Sequence, residues 1–167
     1  MNADNSVIIK TWKTVLEYVK TINPETVCRR GYLEETDTVA LGNLGKPLIT
    51  VALYDRNGET ITQGRTLQTK LKMQIGVQKK LEHIGQSEKL TEEIDPLIAL
   101  IEEIYHAFME KVVLGADGFR VACQKPTHET NAPLYDPERI LAHQFLGIVM
   151  IDVLVTHHAN EKHNKLP

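Results

Sequence analysis

The N-terminal part of the chain has apolar residues at helical spacing. The intervals are three and four residues long, as on the buried side of an amphipathic helix, at Ile8, Trp12, Val15, Val19 and Ile22. Asn5 or Ser6 can cap this helix, and Pro24 stops it. The pattern therefore predicts one helix, followed by a short strand at most over Val27 to Leu41 and a loop over Gly42 to Pro47.

The middle of the chain reads as a hairpin. A β-favouring run from Leu48 to Tyr54 predicts a strand that turns at Asp55 to Gly58, because Asn-Gly suits a tight hairpin turn. The returning strand alternates apolar and polar residues from Lys70 to Gln78, which indicates one buried and one solvated side. Between them, Glu59 to Thr69 is rich in threonine and has almost nothing to bury. We therefore expect residues 56–69 to form a projecting polar hairpin arm.

The second half of the chain predicts a second helix and a further strand. Acidic residues open this helix at Glu92, its apolar side runs from Ile94 to Val112, and Gly115 ends it. Phe119 to Cys123 then predicts a strand, and Asp136 can cap a helical turn.

The closing strand, Phe145 to Thr156, is apolar on both sides, which favours a central position in a sheet. The order of elements and their hairpin connections predict an α+β fold. We expect a mostly antiparallel sheet with two main helices packed on one face and a projecting β-hairpin arm. No linker divides the chain, so residues 1–167 are predicted to form a single domain, with 157–167 as a flexible His-rich tail.

Composition is that of a soluble globular protein. The chain has 167 residues, of which 42% are hydrophobic and 25% charged, with a formal net charge of -3. Cys28 and Cys123 are the only cysteines, which favours a reducing compartment over a disulfide-stapled fold. The first six residues do not resemble a signal peptide, and the longest apolar run falls short of the ~20 residues that a membrane span needs. We therefore expect a cytosolic protein.

The chain has few candidate catalytic or metal-binding residues. His157, His158 and His163 cluster around Glu161, but adjacent strand residues point to opposite sides, so we interpret them as a polar tail. A zinc hydrolase built from the two cysteines and the histidines is a remaining alternative, although neither cysteine has a C-x2-C partner. The glycine-rich run before Pro47 lacks the Ser or Thr of a phosphate loop. We expect no catalytic residues, no metal and no cofactor.

Charge is distributed unevenly along the chain. Residues 56–80 carry six bases and one acid, a balance of +5, whereas residues 82–111 carry eight acids and two bases, a balance of -6. Each run can be a solvated surface. Alternatively, the basic hairpin of one subunit docks on the acidic helix of the next, and such a head-to-tail contact closes into a ring when the rotation permits. The candidates for the subunit interface or the ring lumen are Arg56, Arg65, Lys70, Lys72, Lys79, Lys80, Glu92, Glu93, Glu102 and Glu103.

Several segments together resemble one known family. They are MQIGVQKKL at residues 73–81, IDPLIALIEEIYHAF at 94–108, APLYDPERI at 132–140 and QFLGIVMIDVLV at 144–155, set behind an opening helix and a hairpin with a polar arm. In this order they resemble the tail terminator or tail completion (neck) proteins of long-tailed bacteriophages and prophages. The His-rich C-terminal tail departs from that pattern.

The resemblance implies a structural role without catalysis. It implies self-assembly into a ring, usually a hexamer, that caps the tail tube and faces the head connector, with no membrane partner. Arg56 to Thr69 would be the projecting element, and a basic lumen would suit non-specific contact with passing DNA. The implied location is the host bacterial cytoplasm during assembly and then the virion tail or neck. The alternative is a small cytosolic ligand-binding or interaction module whose second helix and sheet enclose a cleft.

Overall fold

The computed structural model describes residues 6–33, 38–62, 66–124, 126–128 and 135–158. The helices are α1 (Val7–Ile22), α2 (Thr38–Leu44), α3 (Ser87–Ala107) and α4 (Pro137–Leu141). The strands are β1 (Val27–Arg30), β2 (Leu48–Thr62), β3 (Thr66–Lys80), β4 (Val112–Leu114), β5 (Arg120–Cys123), β6 (Thr127–His128) and β7 (Gln144–His158).

Within these ranges the seven strands belong to one sheet. Its order is β1-β2-β3-β7-β5-β4, and β6 lies beside β7. β1 runs parallel to β2, whereas the other pairings are antiparallel. β7 lies between β3 and β5, which is the central position that its two apolar sides predicted. The predicted α+β fold with a mostly antiparallel sheet is confirmed.

The first helix is also confirmed. α1 begins at Val7 behind Ser6, whose hydroxyl accepts a hydrogen bond from the Ile9 N–H at 3.4 Å. Its apolar side meets the sheet, and the Trp12 indole N–H donates to the Val51 carbonyl at 2.7 Å. Burial of this side, rather than helix propensity, holds the element in place.

One face of the sheet carries the main hydrophobic core, and we call it the core face. Odd-numbered residues of β3 and β7 point into it, and α1 and α3 cover it. The strand residues on this face that are less than 2% exposed include Leu71, Met73, Ile75, Val77, Phe145, Val149, Ile151, Val153 and Val155. The predicted packing of two main helices on one face is therefore confirmed.

The opposite side, the outer face, carries the even-numbered residues of β3 and β7. Leu33 packs so closely on Gly76 that a Cβ there would overlap it, and the Gln78 amide donates to the Leu33 carbonyl at 3.1 Å. α2 also contacts β3. The predicted loop from Gly42 to Pro47 is therefore wrong in its first half, since α2 continues to Leu44 and ends before Gly45, where φ is +62°.

The bounds of α3 differ from the predicted ones at both ends. The helix begins at Ser87, ahead of Glu92, because Leu90 in its early turns packs against the core and holds them. It ends at Ala107, and Glu110 takes a positive φ of 51° as the chain turns back. Val112, predicted to continue the helix, lies in β4 instead.

The hairpin is longer than predicted, and its turn lies elsewhere. β2 continues through Asn57 and Gly58 to Thr62, which pairs with Thr66. The register between β2 and β3 shifts by one residue between Arg56 and Glu59, so the Asn-Gly pair forms a β-bulge and not the predicted turn. β3 pairs with β7 over its whole length. The segment that we expected to be a two-stranded arm therefore has three strands, β2, β3 and β7.

The C-terminal strand also extends further than predicted. β7 includes His157 and His158, which the sequence placed in a flexible tail, and they pair with Leu67 and Thr66. Residues 159–167 of that predicted tail lie outside the described ranges.

Candidate assembly surfaces

A buried carboxylate joins the end of β3 to α3. Glu93 Oε1 lies 3.3 Å from Lys79 Nζ, and its two oxygens accept hydrogen bonds from the backbone N–H of Glu82 at 3.3 and 3.1 Å. The backbone N–H of His83 and its ring Nδ1 lie 3.3 and 3.2 Å from Glu93 Oε2. The Glu93 side chain is only 8% exposed. These contacts, which we call the Glu93 lock, fix the connection from sheet to helix.

The Glu93 lock also changes the acidity of its carboxyl group. Burial on its own would raise the pKa of Glu93, but the hydrogen bonds from Glu82 and His83 and the Lys79 ammonium outweigh it, so the pKa is lowered from its ordinary value. Glu93 is therefore held ionised by partners of its own chain. Lys79 and Glu93, expected to face neighbouring subunits, meet within one subunit.

The other lysines of β3 lie on different sides of the sheet. Strand alternation places Lys79 on the side of the core face, whereas Lys70, Lys72 and Lys80 are on the side of the outer face. Lys70 Nζ lies 3.5 Å from Asp152 Oδ2. Lys80 packs over Gly42, where an added Cβ would lie 3.0 Å from its Cδ. Lys70 and Lys72 are thus separated by the sheet from the helix that carries the acids, whereas Lys80, at the end of β3, lines a hollow together with Glu92 and Glu93.

Acidic residues line the exposed side of α3. They recur at intervals of four, three, seven and one residues, and we call them the acidic stripe: Glu88, Glu92, Asp95, Glu102 and Glu103. Each is exposed. Three predicted interface residues, Glu92, Glu102 and Glu103, therefore lie together on one accessible helix surface.

The structure does not describe the side chains of two predicted basic residues. Arg56 lies in β2, opposite Leu71, but its side chain is outside the part of the structure that is described. Arg65 lies wholly outside the described ranges.

The outer face also has a shallow aromatic hollow that the sequence did not indicate. It has a volume of about 260 Å³ and lies among Tyr32, Tyr54, Gln74, Arg139, Leu146 and Ile148. Tyr32 and Tyr54 are 52% and 59% exposed. Exposed tyrosines are enriched at protein interfaces, since each offers a large rigid ring and a hydroxyl. Tyr54 sits where β2 changes register, and the sequence pattern gives no signal for that shift.

A larger groove follows the edge of the sheet at β4. Its volume is about 1200 Å³, and its walls come from α1, from β4 with the turn that follows it, and from β5 and β7. The second helix and the sheet, predicted in one alternative to enclose a cleft, are packed together by fully buried side chains such as Ile101 and Ile104.

The cysteines lie far apart. Cys28 is on β1 and Cys123 on β5, with β2, β3 and β7 between them, which corresponds to roughly 19 Å across the sheet. They cannot ligate one ion together. Burial raises the pKa of Cys123 to about 12 and also raises that of Cys28, so both stay protonated thiols at neutral pH.

The histidines were the other candidates for metal binding. Among the described residues, no cluster of three or more His, Cys, Asp or Glu side chains has metal-binding geometry. His157 Nε2 lies 3.1 Å from Thr69 Oγ1 in the β3–β7 ladder. His163 and Glu161 lie outside the described ranges.

The sequence matches no model of a known protein family, and no curated protein matches it. Over the described ranges, no helix combines the length and the hydrophobicity that crossing a membrane requires.

Proposed function

We propose that this protein is a non-catalytic structural subunit that assembles with copies of itself through two oppositely charged surfaces. One is the acidic stripe of α3. The other is the outer face, with Lys72, Lys80 and the tyrosine hollow. The single observation that carries the proposal is that the acidic stripe belongs to α3, which covers the core face, whereas Lys72 and the tyrosine hollow lie on the opposite side of the sheet.

Opposite placement determines the kind of contact. If the acidic stripe of one copy meets the outer face of the next, the two copies contribute different surfaces, so the contact is heterologous. A heterologous contact leaves one surface of each kind free at the ends, and it propagates until it closes as a ring or continues as a filament. Lys72 and Lys80 suit this role because neither forms an ion pair with another residue in the described ranges.

The proposed setting is the tail or neck of a long-tailed bacteriophage or prophage. The resemblance of the sequence segments to tail terminator proteins supports it. In this proposal the ring, usually a hexamer in that family, contacts tail-tube or head-connector proteins. The lysines of the ring would contact the phosphates of passing DNA without recognising a base sequence.

The test of the proposed function is the mass of the assembled protein. Native mass spectrometry and light scattering are run over a range of concentrations, alone and with tail-tube protein, and electron microscopy examines the same samples. The proposal predicts a closed multiple of the 18.9 kDa subunit. A stable monomer in every sample, including those with tail-tube protein, would overturn it.

A second candidate function is ligand binding by a monomer. The groove of about 1200 Å³ at β4 favours it, because this volume leaves room for a small molecule. A monomer at all concentrations that binds a small molecule in this groove would support that candidate against self-assembly.

A further inference from the structure

β4 is the last strand of the sheet and has one open edge. Among the described residues it pairs with β5 alone, through Val112 with Ala122, Val113 with Val121 and Leu114 with Arg120. The flanking bonds, from the Cys123 N–H to the Lys111 carbonyl and from the Gly115 N–H to the Phe119 carbonyl, are directed at β5. Residues alternate in an antiparallel ladder, so the N–H and C=O groups of Val112 and Leu114 point away from β5, to the open edge.

The same edge exposes apolar side chains. Leu114 is 71% exposed and Val112 is 40% exposed. Val112, Ala122 and Leu154 form one row across β4, β5 and β7 on the outer face. An exposed strand edge with apolar side chains is a template for pairing with another strand.

The groove beside this edge is rich in positive charge. Four exposed cations line it, two from α1, one before β4 and one in β5: Lys10, Lys13, Lys111 and Arg120. Among the lining residues whose side chains are described, the acid is Glu17, and its carboxylate lies 2.7 Å from Lys20. Lys10 and Arg120 form no ion pair within the described ranges.

We propose that this groove binds an extended acidic segment of a partner protein, which adds a strand to the open edge of β4. The backbone of that segment would bond to Val112 and Leu114. Its apolar side chains would pack on the row from Val112 to Leu154, and its carboxylates would meet Lys10, Lys13, Lys111 and Arg120. This site shares the row from Val112 to Leu154 with the outer face. Its open edge and its cations lie apart from Lys72, Lys80 and the tyrosine hollow, so the inference does not depend on self-assembly.

The charge of the groove selects the occupant. The acids that the described chain exposes in number lie on α3, and a helix has no free backbone groups along its length to add to a sheet. A second copy presenting its acidic stripe could therefore not pair with β4. A partner whose acidic segment is extended satisfies both the charge and the open edge.

The test uses a short fluorescent peptide in which Asp or Glu alternates with Val, and binding to the full-length protein is followed by fluorescence anisotropy. Two control peptides are a version with Lys in place of the acids and an acidic version N-methylated along one edge. We expect the acidic peptide to bind with a Kd below about 1 mM. The two controls should bind at least about tenfold more weakly, because one loses the charge complement and the other the backbone donors.

Variants of the protein locate the site. Lys10→Glu combined with Arg120→Glu should weaken binding by about tenfold, whereas the matched change Lys46→Glu with Lys89→Glu, outside the groove, should not. Leu114→Pro removes a backbone donor at the open edge and should abolish peptide binding. Leu114→Ala retains that donor and should not abolish binding. Circular dichroism identifies any variant that fails to fold, and the N-methylated peptide tests the same donors on folded wild-type protein.

Three results would overturn the inference. They are equal binding of the acidic and Lys peptides, undiminished binding of the N-methylated peptide, and no binding of the acidic peptide up to about 1 mM. A fall in the mass of the assembled protein on Leu114→Pro would instead assign the edge to a second copy. Loss of peptide binding with assembly intact leaves the proposed function standing, so the two failures are distinguishable.

Discussion

At the scale of single residues, the Glu93 carboxylate combines several hydrogen bonds and an ion pair at one buried position. Its carboxylate receives two backbone N–H groups, a histidine ring and a lysine while only 8% of the side chain is exposed. We predict that Glu93→Gln lowers the free energy of unfolding by about 1–3 kcal/mol, because an amide cannot accept from all these donors. Glu102→Gln is the matched control, and this exposed change should stay within about 0.5 kcal/mol in the same denaturant titration.

The contribution of Glu93 to the free energy of unfolding should depend on pH. Its pKa is lower in the folded protein than its ordinary value of 4.5, so its contribution to stability is present above that value and is lost as the pH falls through the folded pKa. The stability difference between wild type and Glu93→Gln should therefore be largest near neutral pH and shrink below 4.5. A difference that stays constant down to strongly acidic pH would contradict this assignment.

Lys79 and Lys80 are neighbours in sequence with different roles. On charge alone, reversing both is expected to weaken self-association more than it lowers the melting temperature. With Lys79 in the Glu93 lock, Lys79→Glu places a second carboxylate beside a buried one and should lower the melting temperature. Lys80→Glu should lower it less and weaken self-association instead. Equal losses of melting temperature for the two single variants would contradict this division.

Gly76 is required by close packing. A side chain there would overlap Leu33, which is 5% exposed and cannot move freely. Gly76→Ala should therefore cost about 1–3 kcal/mol of stability. Gly31→Ala is the control, since its Cβ would lie an ordinary 3.8 Å from Thr50, and thermal unfolding should show little change. The prediction fails if the two variants unfold at the same temperature.

At the scale of elements, periodicity predicted those parts of the fold where one side of an element is buried. α1 and the alternating strands follow this rule, because the core face selects their apolar residues. The bulge at Asn57 and Gly58 could not be predicted in this way. Asn-Gly suits a tight turn in isolation, but here pairing with β3 continues past it, so tertiary pairing overrides the local preference.

The start of α3 shows the same limitation. Its acids and Pro96 look like the first turn of a helix, yet the helix begins at Ser87 and contains Pro96 in its interior. A proline there removes the bond to the Glu92 carbonyl. Pro96→Ala should restore it and raise stability by about 1–3 kcal/mol, whereas Ala99→Gly on the same exposed side should lower it by about 1 kcal/mol. Chemical denaturation checks both, and a destabilising Pro96→Ala would contradict the account.

At the scale of the whole molecule, the arrangement of surfaces was only partly predictable. Charge counting along the chain found the acids of α3 and the lysines of β3, but it could not show that Lys79 is paired within the chain. Nor could it find the β4 groove, whose four cations come from separate segments and converge only after folding. Lys72 and Lys80 share the outer face with Tyr54 because strand alternation and a register shift place them there.

In the proposed assembly, the acidic stripe of one copy contacts the outer face of the next. Two variants test it, one with Glu102→Lys and Glu103→Lys, the other with Lys72→Glu and Lys80→Glu. Each alone brings like charges together, so each should stay monomeric while remaining folded.

Mixed in equal amounts, the two variants restore opposite charges at every contact if they alternate. Native mass spectrometry of this mixture measures the size and the composition of the assemblies, and so tests this contact directly. We predict closed assemblies that contain equal numbers of both variants. If the mixture remains monomeric while the wild type assembles, or if either variant alone assembles as the wild type does, the proposed contact is wrong.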